Sequence, residues 1–210
     1  MDVQPTRMEL IKLRRRIAMA KKGHALLKMK RDGLIMEFRT ILEDAKRVID
    51  EMVQRYREAQ EKLALAMAAD GVVAVKSIAL SVEKGPTFTL KRKNIMGVVV
   101  PVIKREVVRK SLAERNYGVI GTTARVDEAV EAYEALIDAI LEVAEIETTL
   151  KKLIEEIERT KRRVNALEFK VIPEMEEAAR YITFKLEEMD RENIIRLKKI
   201  KNKKEQQAEA

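Results

Sequence analysis

Hydrophobic residues recur every seven positions along the first seventy residues of the chain. One series contains Leu10, Ile17, His24, Arg31, Phe38, Ala45 and Met52, and a second series, three residues later, contains Leu13, Ala20, Leu27, Leu34, Ile41 and Val48. Two apolar series with this spacing form the a and d positions of a coiled-coil seam. No Pro interrupts the stretch between Thr6 and Asp70. The pattern therefore predicts one long helix over 1–70 that packs against a second helix.

The C-terminal part of the chain, 122–210, carries a second seam. One series contains Leu150, Ile157, Val164 and Val171, and the other contains Ile146, Leu153 and Leu167; ahead of them Val126, Val130, Tyr133, Ile137, Ile140 and Ala144 follow a different phase. This change of phase near residue 145 predicts a stutter, at which a supercoil relaxes locally. Pro173 predicts a kink in this helix. The tail after Lys199 has few apolar seam positions and is expected to fray.

The segment 71–121 differs from both helices because residues 87–104 within it follow an alternating pattern and are rich in β-branched side chains. The pattern over 87–103 predicts a β-hairpin with strands Thr87–Lys93 and Val98–Ile103. Residues 94–97, NIMG, would form the turn, with Gly97 at positive φ. Pro101 is expected on an exposed edge, since it cannot donate to a strand ladder. The flanking residues are expected to form short helices or loops at the foot, the end opposite the chain termini.

These segments together predict an all-α dominated fold. Two seams of matching length in one chain favour a long antiparallel two-helix coiled coil with left-handed twist. A short β-hairpin and small helices would complete the foot. Parallel self-dimerisation of the first helix is the alternative arrangement.

Positive charge is concentrated near both ends of the chain. Through Asp32 there are ten Lys and Arg against three acidic residues, and the net charge of the chain is +8. From Arg159 to Lys204 there are fourteen Lys and Arg against eight acidic residues. In the antiparallel arrangement both basic stretches lie at the open end of the helix pair. Such a tip can enter an acidic cavity or bind polyanions, although a solvated coiled-coil surface has the same composition. Nucleic acid is disfavoured as the partner because no aromatic residues lie among the basic residues, where they could stack on nucleobases.

The composition argues against a compact enzyme. Charged residues make up 37% of the chain and aromatic residues 4%, and there is no Cys and one His. This removes thiolate nucleophiles, Cys-based zinc sites and His-based triads, and no Gly-rich phosphate loop is present. The sequence predicts no catalytic residue, no metal and no cofactor. The longest nearly apolar run, 97–103, is too short to cross a bilayer.

The first helix has unusual residues at its centre. Gly23 and Gly33 each cost a helix about 1 kcal/mol relative to Ala, so close helix approach or local bending is expected there. Antiparallel register places His24 near Glu168. His24 is therefore expected to be a hydrogen-bonded seam residue rather than a metal ligand or a catalytic group.

Six ordered motifs carry a resemblance to a known family. They are T-R-x-x-L-x-x-L from Thr6, G-H-x-L-L-K-x-K-R-D from Gly23, N-I-M-G-V-x-V-P from Asn94, Y-G-V-I-G-T from Tyr117, R-R-V-N-A-L-E from Arg162 and I-P-E from Ile172. Together they span nearly the whole chain, and in this order they resemble the D subunit of archaeal A-type and vacuolar-type rotary ATPases. Pro173 lies in one of these motifs, so a tolerated bend is expected there rather than a helix end.

The resemblance implies a function without an active site. The D subunit of this family is the central-stalk rotor shaft, which turns inside the hexamer of A and B subunits and couples ATP synthesis or hydrolysis to ion translocation. One copy per complex is implied. The foot would bind the small F subunit of the stalk and the adaptor subunit of the membrane ring, on the cytoplasmic face of the cell membrane.

Three groups of contact residues follow from the motifs and the charge pattern. The hexamer contacts are expected at Arg7, Arg14, Lys28, Lys30, Arg31, Asp32, Arg162, Arg163, Arg191 and Lys198. The register of the seam is expected to depend on His24, Phe38, Val164, Leu167 and Glu168. Contacts of the foot with the F subunit are expected at Asn94, Ile95, Met96, Val98, Val100 and Tyr117. Part of the basic group could instead be satisfied by ion pairs within the chain.

Two other classes of protein combine similar features. A prefoldin-like chaperone also has long paired helices and a hairpin, but its helix tips would expose apolar patches where these are basic. A basic coiled-coil scaffold that binds nucleic acid would lose affinity steeply with salt.

Overall fold

A computed structural model of the chain describes residues 4–81, 87–107 and 123–208. The elements are α1 (Arg7–Asp70), α2 (Val72–Ser81), β1 (Thr87–Ile95), β2 (Val98–Val107), α3 (Ala124–Ala166), a π-helical turn (Leu167–Val171) and α4 (Ile172–Ala208). The predicted helix-dominated fold with one β-hairpin is confirmed. α4 continues through the tail for which fraying is predicted. The division of the chain into 1–70, 71–121 and 122–210 as domains stays a prediction.

The chain forms two compact units. We call 1–32 with 158–210 the terminal unit, and 33–157 the central unit. In the terminal unit, Leu13 of α1 packs with Met175 and Ile182 of α4, and all three are buried. Arg7 pairs with Asp190 and Lys21 with Glu176. The partner's number falls as the number in α1 rises, so the two helices are antiparallel.

The central unit contains the second half of α1 and most of α3, also antiparallel. Gln60 Nε2 donates to the Tyr133 hydroxyl at 3.0 Å, and the Thr123 hydroxyl donates to Asp70 Oδ2 at 2.6 Å. Burial raises the pKa of Tyr133.

The seam predicted on α1 is confirmed at every position. All residues of both series are buried or half-buried, and the a series continues at the same spacing through Ala59 and Ala66, which are fully buried. The strict seven-residue spacing of large apolar side chains is what made this helix predictable.

The stutter predicted near residue 145 is wrong. The buried or half-buried residues of α3 and the π-helical turn keep two unbroken series, Ala129, Leu136, Val143, Leu150, Ile157 and Val164, and Ala132, Ala139, Ile146, Leu153, Thr160 and Leu167. Ile140, predicted in the seam, is 46% exposed, while its neighbour Ala139 is 3% exposed. Small alanines occupy the seam beside larger exposed residues, so an apolar pattern weighted by size gives the wrong phase.

The seam changes phase at the π-helical turn instead. After the turn the buried residues are Met175 and Ile182, which continue the seven-residue spacing from Glu168 rather than from Leu167. Val171, predicted in the seam, is therefore 37% exposed. The turn holds one residue more than an α-helical turn, because the Ile172 N–H bonds to the Leu167 carbonyl.

Pro173 explains why the extra residue is there. A proline inside an α-helix lacks the N–H that bonds to residue i−4, and its ring meets that carbonyl. The wide turn ends at Val171, so the carbonyl four residues before Pro173, that of Phe169, lies within the π-helical turn, where the ladder of α-helical hydrogen bonds is already interrupted. The helical path continues through the proline, as predicted.

The hairpin has the predicted turn and longer strands. Met96 and Gly97 form a two-residue turn with φ of 49° and 88°, the conformation that requires positive φ at both positions. The Gly97 N–H donates to Asn94 Oδ1 at 2.8 Å. The strands pair antiparallel from Ile95–Val98 outward.

The hairpin packs on the helices through β2. Val98 and Val100 form a buried cluster with Leu34 of α1 and Leu153 of α3. The Ile103 N–H donates to Glu145 Oε2 at 2.8 Å, and Lys152 Nζ donates to the Val99 carbonyl at 3.1 Å. The outer edge of β2 therefore faces α3. Pro101 lies on this edge, as predicted, but it is half-buried rather than exposed because α3 faces the edge.

α2 turns away from the end of α1 at Gly71, whose φ is +84°. Val75 of α2 is buried with Ala66, Val126 and Ala129. Within the described part of the chain no single helix has the length and apolar composition to span a membrane; α1 and α2 meet that criterion only as a pair, bent by 116°.

Candidate functional site

The residues expected to contact a hexamer all lie in the terminal unit. Seven of them are exposed: Arg14, Lys28, Asp32, Arg162, Arg163, Arg191 and Lys198. Arg7 is also exposed and binds Asp190, with Nη2 3.0 Å from Oδ1. Lys30 and Arg31 are half-buried. The fold thus brings the two basic ends of the sequence into one unit, as antiparallel pairing requires.

Part of the basic group is satisfied within the chain. Arg31 donates from Nε and Nη2 to Oδ1 of Asp32, at 2.9 and 2.8 Å. Arg162 Nη1 lies 3.5 Å from Glu158 Oε2, at the limit of an ion pair, and both side chains are well exposed. Arg31 and Asp32 are therefore committed to each other, whereas Arg162 can exchange Glu158 for another acidic partner at little cost.

His24 lies where the register predicts. Its Nε2 is 3.4 Å from Glu168 Oε2, and its side chain is 20% exposed. Val164, one turn earlier than Glu168, is 1% exposed, and Leu167 is half-buried. The contact joins α1 to the π-helical turn and supports a seam position for His24. Within the residues described, no group of three His, Cys, Asp or Glu side chains is placed to hold a metal ion.

Phe38, the remaining residue of the register group, lies in the central unit. It packs against the cluster of Leu34, Val98 and Leu153. Its partners therefore include the hairpin as well as the facing helix.

A short ion pair between the two helices of the terminal unit joins two residues outside the predicted groups. Lys21 Nζ lies 2.7 Å from Glu176 Oε1. The hydrogen bond and the charge of Lys21 lower the pKa of Glu176. Opposite charges flanking an antiparallel seam are the sequence signal for such a pair, but the register must be known before the partners can be matched.

The Lys21–Glu176 pair predicts a loss of stability in acid. A carboxyl group whose pKa is lower in the folded state stabilises the fold above its unfolded pKa, and that contribution is lost as the pH falls through the folded pKa. We expect Glu176→Gln to unfold at a lower temperature than the parent at pH 7 and at nearly the same temperature at pH 3. Circular dichroism melts at the two values measure this. Glu174→Gln, at an exposed position of the same helix, is the control; equal shifts for both variants would contradict the prediction.

The residues expected to bind the F subunit divide between the two faces of the hairpin. Val98 and Val100 are 8% and 2% exposed inside the chain, so the expectation that they contact a partner is wrong. Their side chains share a face of β2 that packs on the helices. Ile95 packs against the same cluster, and the Asn94 side chain holds the turn. Tyr117 lies outside the described residues.

Besides Met96, which is 49% exposed, the apolar residues exposed on the hairpin are not those expected. Phe88, Leu90 and Val99 are 50%, 62% and 49% exposed. Strand periodicity places them on the face opposite Val98 and Val100. The sequence did not distinguish the inner face from the outer one, because both alternating sets of β2 are apolar. On β1 the apolar set, Phe88 and Leu90, lies on the exposed face.

Met96, at the tip of the hairpin, explains one of the two central glycines. A Cβ at Gly33 would lie 2.6 Å from Met96 Cε and 3.2 Å from its Sδ. Gly33 therefore admits a side chain of the hairpin turn rather than a neighbouring helix. A Cβ at Gly23 would have nothing within 4 Å, so close approach does not explain Gly23.

The two glycines predict different effects of the same substitution. We expect Gly23→Ala to raise the free energy of unfolding by about 1 kcal/mol, the helix-propensity gain. Gly33→Ala should gain less, because Met96 must leave its place. The double variant Gly33→Ala, Met96→Ala should recover part of the difference relative to Met96→Ala alone. Urea denaturation measures all four variants, and equal gains at Gly23 and Gly33 would show that the Met96 contact is not restrictive.

Comparison with known proteins gives one consistent result. The family model for the D subunit of ATP synthase matches residues 9–202. The chain is 76% identical over 204 residues to the A-type ATP synthase D subunit of Archaeoglobus fulgidus, covering 97% of this chain and 98% of the relative. It is 55% identical over 200 residues to the D subunit of Methanoregula boonei, and 54% identical to that of Methanosarcina mazei, each time covering 95% of this chain and 96% of the relative.

Proposed function

The chain belongs to the family of ATP synthase D subunits, and on that premise we propose that it is the rotor shaft of the central stalk of an A-type ATP synthase. In this role it would transmit torque between the ATP chemistry of the A and B subunits and ion translocation by the membrane ring. It would itself be non-catalytic and would use no cofactor. It would be present once per complex, at the cytoplasmic face of the membrane.

The observation that carries this proposal is the pairing of helices within each unit. A shaft under torque fails if its two helices slide along each other, and sliding is opposed by contacts that exist in one register only. Arg7–Asp190, Lys21–Glu176 and His24–Glu168 are such contacts in the terminal unit. Gln60–Tyr133 is one in the central unit.

The partners are assigned by the position of the exposed groups. We propose that the A and B subunits contact the basic residues of the terminal unit, above all Arg162 and Arg163. The small F subunit of the stalk and the adaptor subunit of the membrane ring would bind the central unit. The hairpin, with Met96 at its tip, is the proposed contact of the central unit.

Reconstitution with purified A, B and F subunits tests the proposal. Mass determination after size-exclusion chromatography should find one copy of the chain per hexamer. Arg162→Ala with Arg163→Ala should change ATP turnover while the complex still assembles. Arg39→Ala with Lys46→Ala, two exposed basic residues of α1 in the central unit, is the matched control and should leave turnover unchanged.

Other outcomes would redirect the assignment. Absence of the chain from the hexamer at moderate salt would contradict the rotor function. Binding to nucleic acid that weakens steeply with salt would then favour the scaffold, and suppression of the aggregation of an unfolded client protein would favour a prefoldin-like chaperone. Turnover that responds equally to both double variants would contradict the assignment of Arg162 and Arg163.

A further inference from the structure

The two edges of the hairpin differ in their contacts with the rest of the chain. The outer edge of β2 meets Glu145 and Lys152 of α3. Among the described residues no strand pairs with the other side of β1, because the sheet has two strands. Every residue of β1 except Ile95 is exposed. β1 is therefore a long, accessible edge strand.

The register shows which backbone groups of β1 point outward. The two-residue turn makes Ile95–Val98 a hydrogen-bonded pair, and such pairs alternate with non-bonded ones along an antiparallel ladder. Asn94–Val99, Arg92–Pro101 and Leu90–Ile103 are therefore the non-bonded pairs, whose N–H and C=O groups point away from the partner strand. The observed bonds of Val99 and Ile103 to α3 agree with this alternation. On β1, the outward groups of Leu90, Arg92 and Asn94 lie on the open edge.

The side chains along this edge determine which kind of strand can pair with β1. Lys91, Arg92 and Lys93 form a continuous run of positive charge. Pairing of β1 with β1 of a second copy would bring like charges together, which destabilises a cross-strand pair. An acidic strand would meet opposite charges instead. Phe88 and Leu90, half or more exposed on the outer face, would be covered by apolar residues alternating with the acidic ones.

We propose that β1 binds an extended acidic segment of a neighbouring subunit as a third strand of the sheet. Backbone bonds to Leu90, Arg92 and Asn94 would provide the register, and the charges of Lys91 and Lys93 would provide the selectivity. This inference rests on the proposed function in one respect: the acidic segment is taken to belong to another subunit of the ATP synthase.

Hydrogen exchange resolved at single amides tests the proposal on the native complex. The amides of Leu90 and Arg92 should exchange at least about tenfold more slowly in the complex than in the isolated chain, as for amides that gain a hydrogen bond. The amides of Lys91 and Lys93, already bonded within the hairpin, should change little and report that the hairpin is intact. Unchanged exchange at Leu90 and Arg92 in a complex that contains the chain would overturn the third strand and leave the rotor function standing.

A peptide assay gives an answer that does not depend on the complex. A synthetic peptide of alternating Glu and Val should protect the same two amides of the isolated chain, and a peptide of alternating Lys and Val should not. Lys91→Glu with Lys93→Glu should lower the affinity of the chain for the Glu–Val peptide by about tenfold or more. Leu90→Pro, which removes an outward N–H but no bond of the hairpin, should weaken it more than Leu90→Ala. Should the chain be absent from the complex, failure of the Glu–Val peptide to protect these amides overturns the inference.

Discussion

Deleting Glu177 is expected to unfold the terminal unit, whereas deleting Phe169 together with Pro173→Ala is expected to leave it folded. Both deletions remove one exposed residue from the same helical path. They differ in what happens to the seam. One residue corresponds to a rotation of about 100° around a helix, so the position of the deletion decides which side chains still face α1.

Deletion of Glu177 falls between Met175 and Ile182, which are seven residues apart in the buried cluster. Ile182, fully buried in the parent, would turn away from α1, and every later seam residue would follow it. Each large apolar side chain exposed in this way costs roughly 1.5–3 kcal/mol. The total should exceed the stability of the terminal unit.

Deletion of Phe169 removes the extra residue of the π-helical turn. Leu167 and Met175 would then be seven residues apart, so the series Leu153, Thr160 and Leu167 would continue into α4 without a break. Pro173 would lie inside an ordinary α-helix, at a cost of about 3 kcal/mol, and Pro173→Ala removes that cost. The weak contact between His24 and Glu168 is expected to be lost.

Chemical denaturation followed by circular dichroism measures the three deletion variants. The expected order of stability places the variant with both changes nearest the parent, deletion of Phe169 alone about 3 kcal/mol lower, and deletion of Glu177 lowest. If deletion of Phe169 with Pro173→Ala were as damaging as deletion of Glu177, the π-helical turn would not be the site of the phase change.

The second large effect is expected at Leu153. Its side chain is fully buried between Leu34 of α1 and both Val98 and Val100 of β2. Leu153→Ala should lower the free energy of unfolding by about 2–5 kcal/mol, the range for truncating a buried leucine. Because the cavity would lie beneath the hairpin, hydrogen exchange at Val98 and Val100 should also accelerate.

Leu80→Ala is the matched control for Leu153→Ala. Leu80 belongs to α2 in the same unit and is 86% exposed, so its truncation should change stability by less than about 0.5 kcal/mol. A loss at Leu153 no greater than that at Leu80 would show that the hairpin does not depend on this cluster.

The comparison of α1 with α3 shows where sequence reasoning succeeds. In α1 the seam is built mainly of Leu, Ile, Val and Met, and its spacing alone identified the buried face. In α3 the seam includes Ala129, Ala132 and Ala139, while the larger Ile140 is exposed. In α3 the size of a side chain no longer indicates whether it is buried, so the spacing of the large apolar residues predicted a stutter where none exists.

The functional residues divide in the same way. The basic groups of the terminal unit were predicted because antiparallel pairing alone brings both chain ends together. Lys21 and Glu176 were missed because the π-helical turn lies between Glu168 and Glu176, so the register that places His24 near Glu168 does not extend to them. Val98 and Val100 were wrongly expected on the partner-facing side of the hairpin. They alternate along β2 with Val99, and the face that carries Val99, Phe88 and Leu90 is apolar as well.

The two long helices, the hairpin with its turn at Gly97 and the family of the protein could be predicted from the sequence, which also favoured antiparallel pairing. These depend on local spacing, on backbone preferences of Gly and Pro and on ordered motifs, all of which can be read along one chain. The folded structure was needed to establish the phase of α3, the π-helical turn, the place of Met96 on Gly33 and the inner face of the hairpin. Each of these depends on which of two similar surfaces a distant segment covers, and that choice is made by packing across the fold.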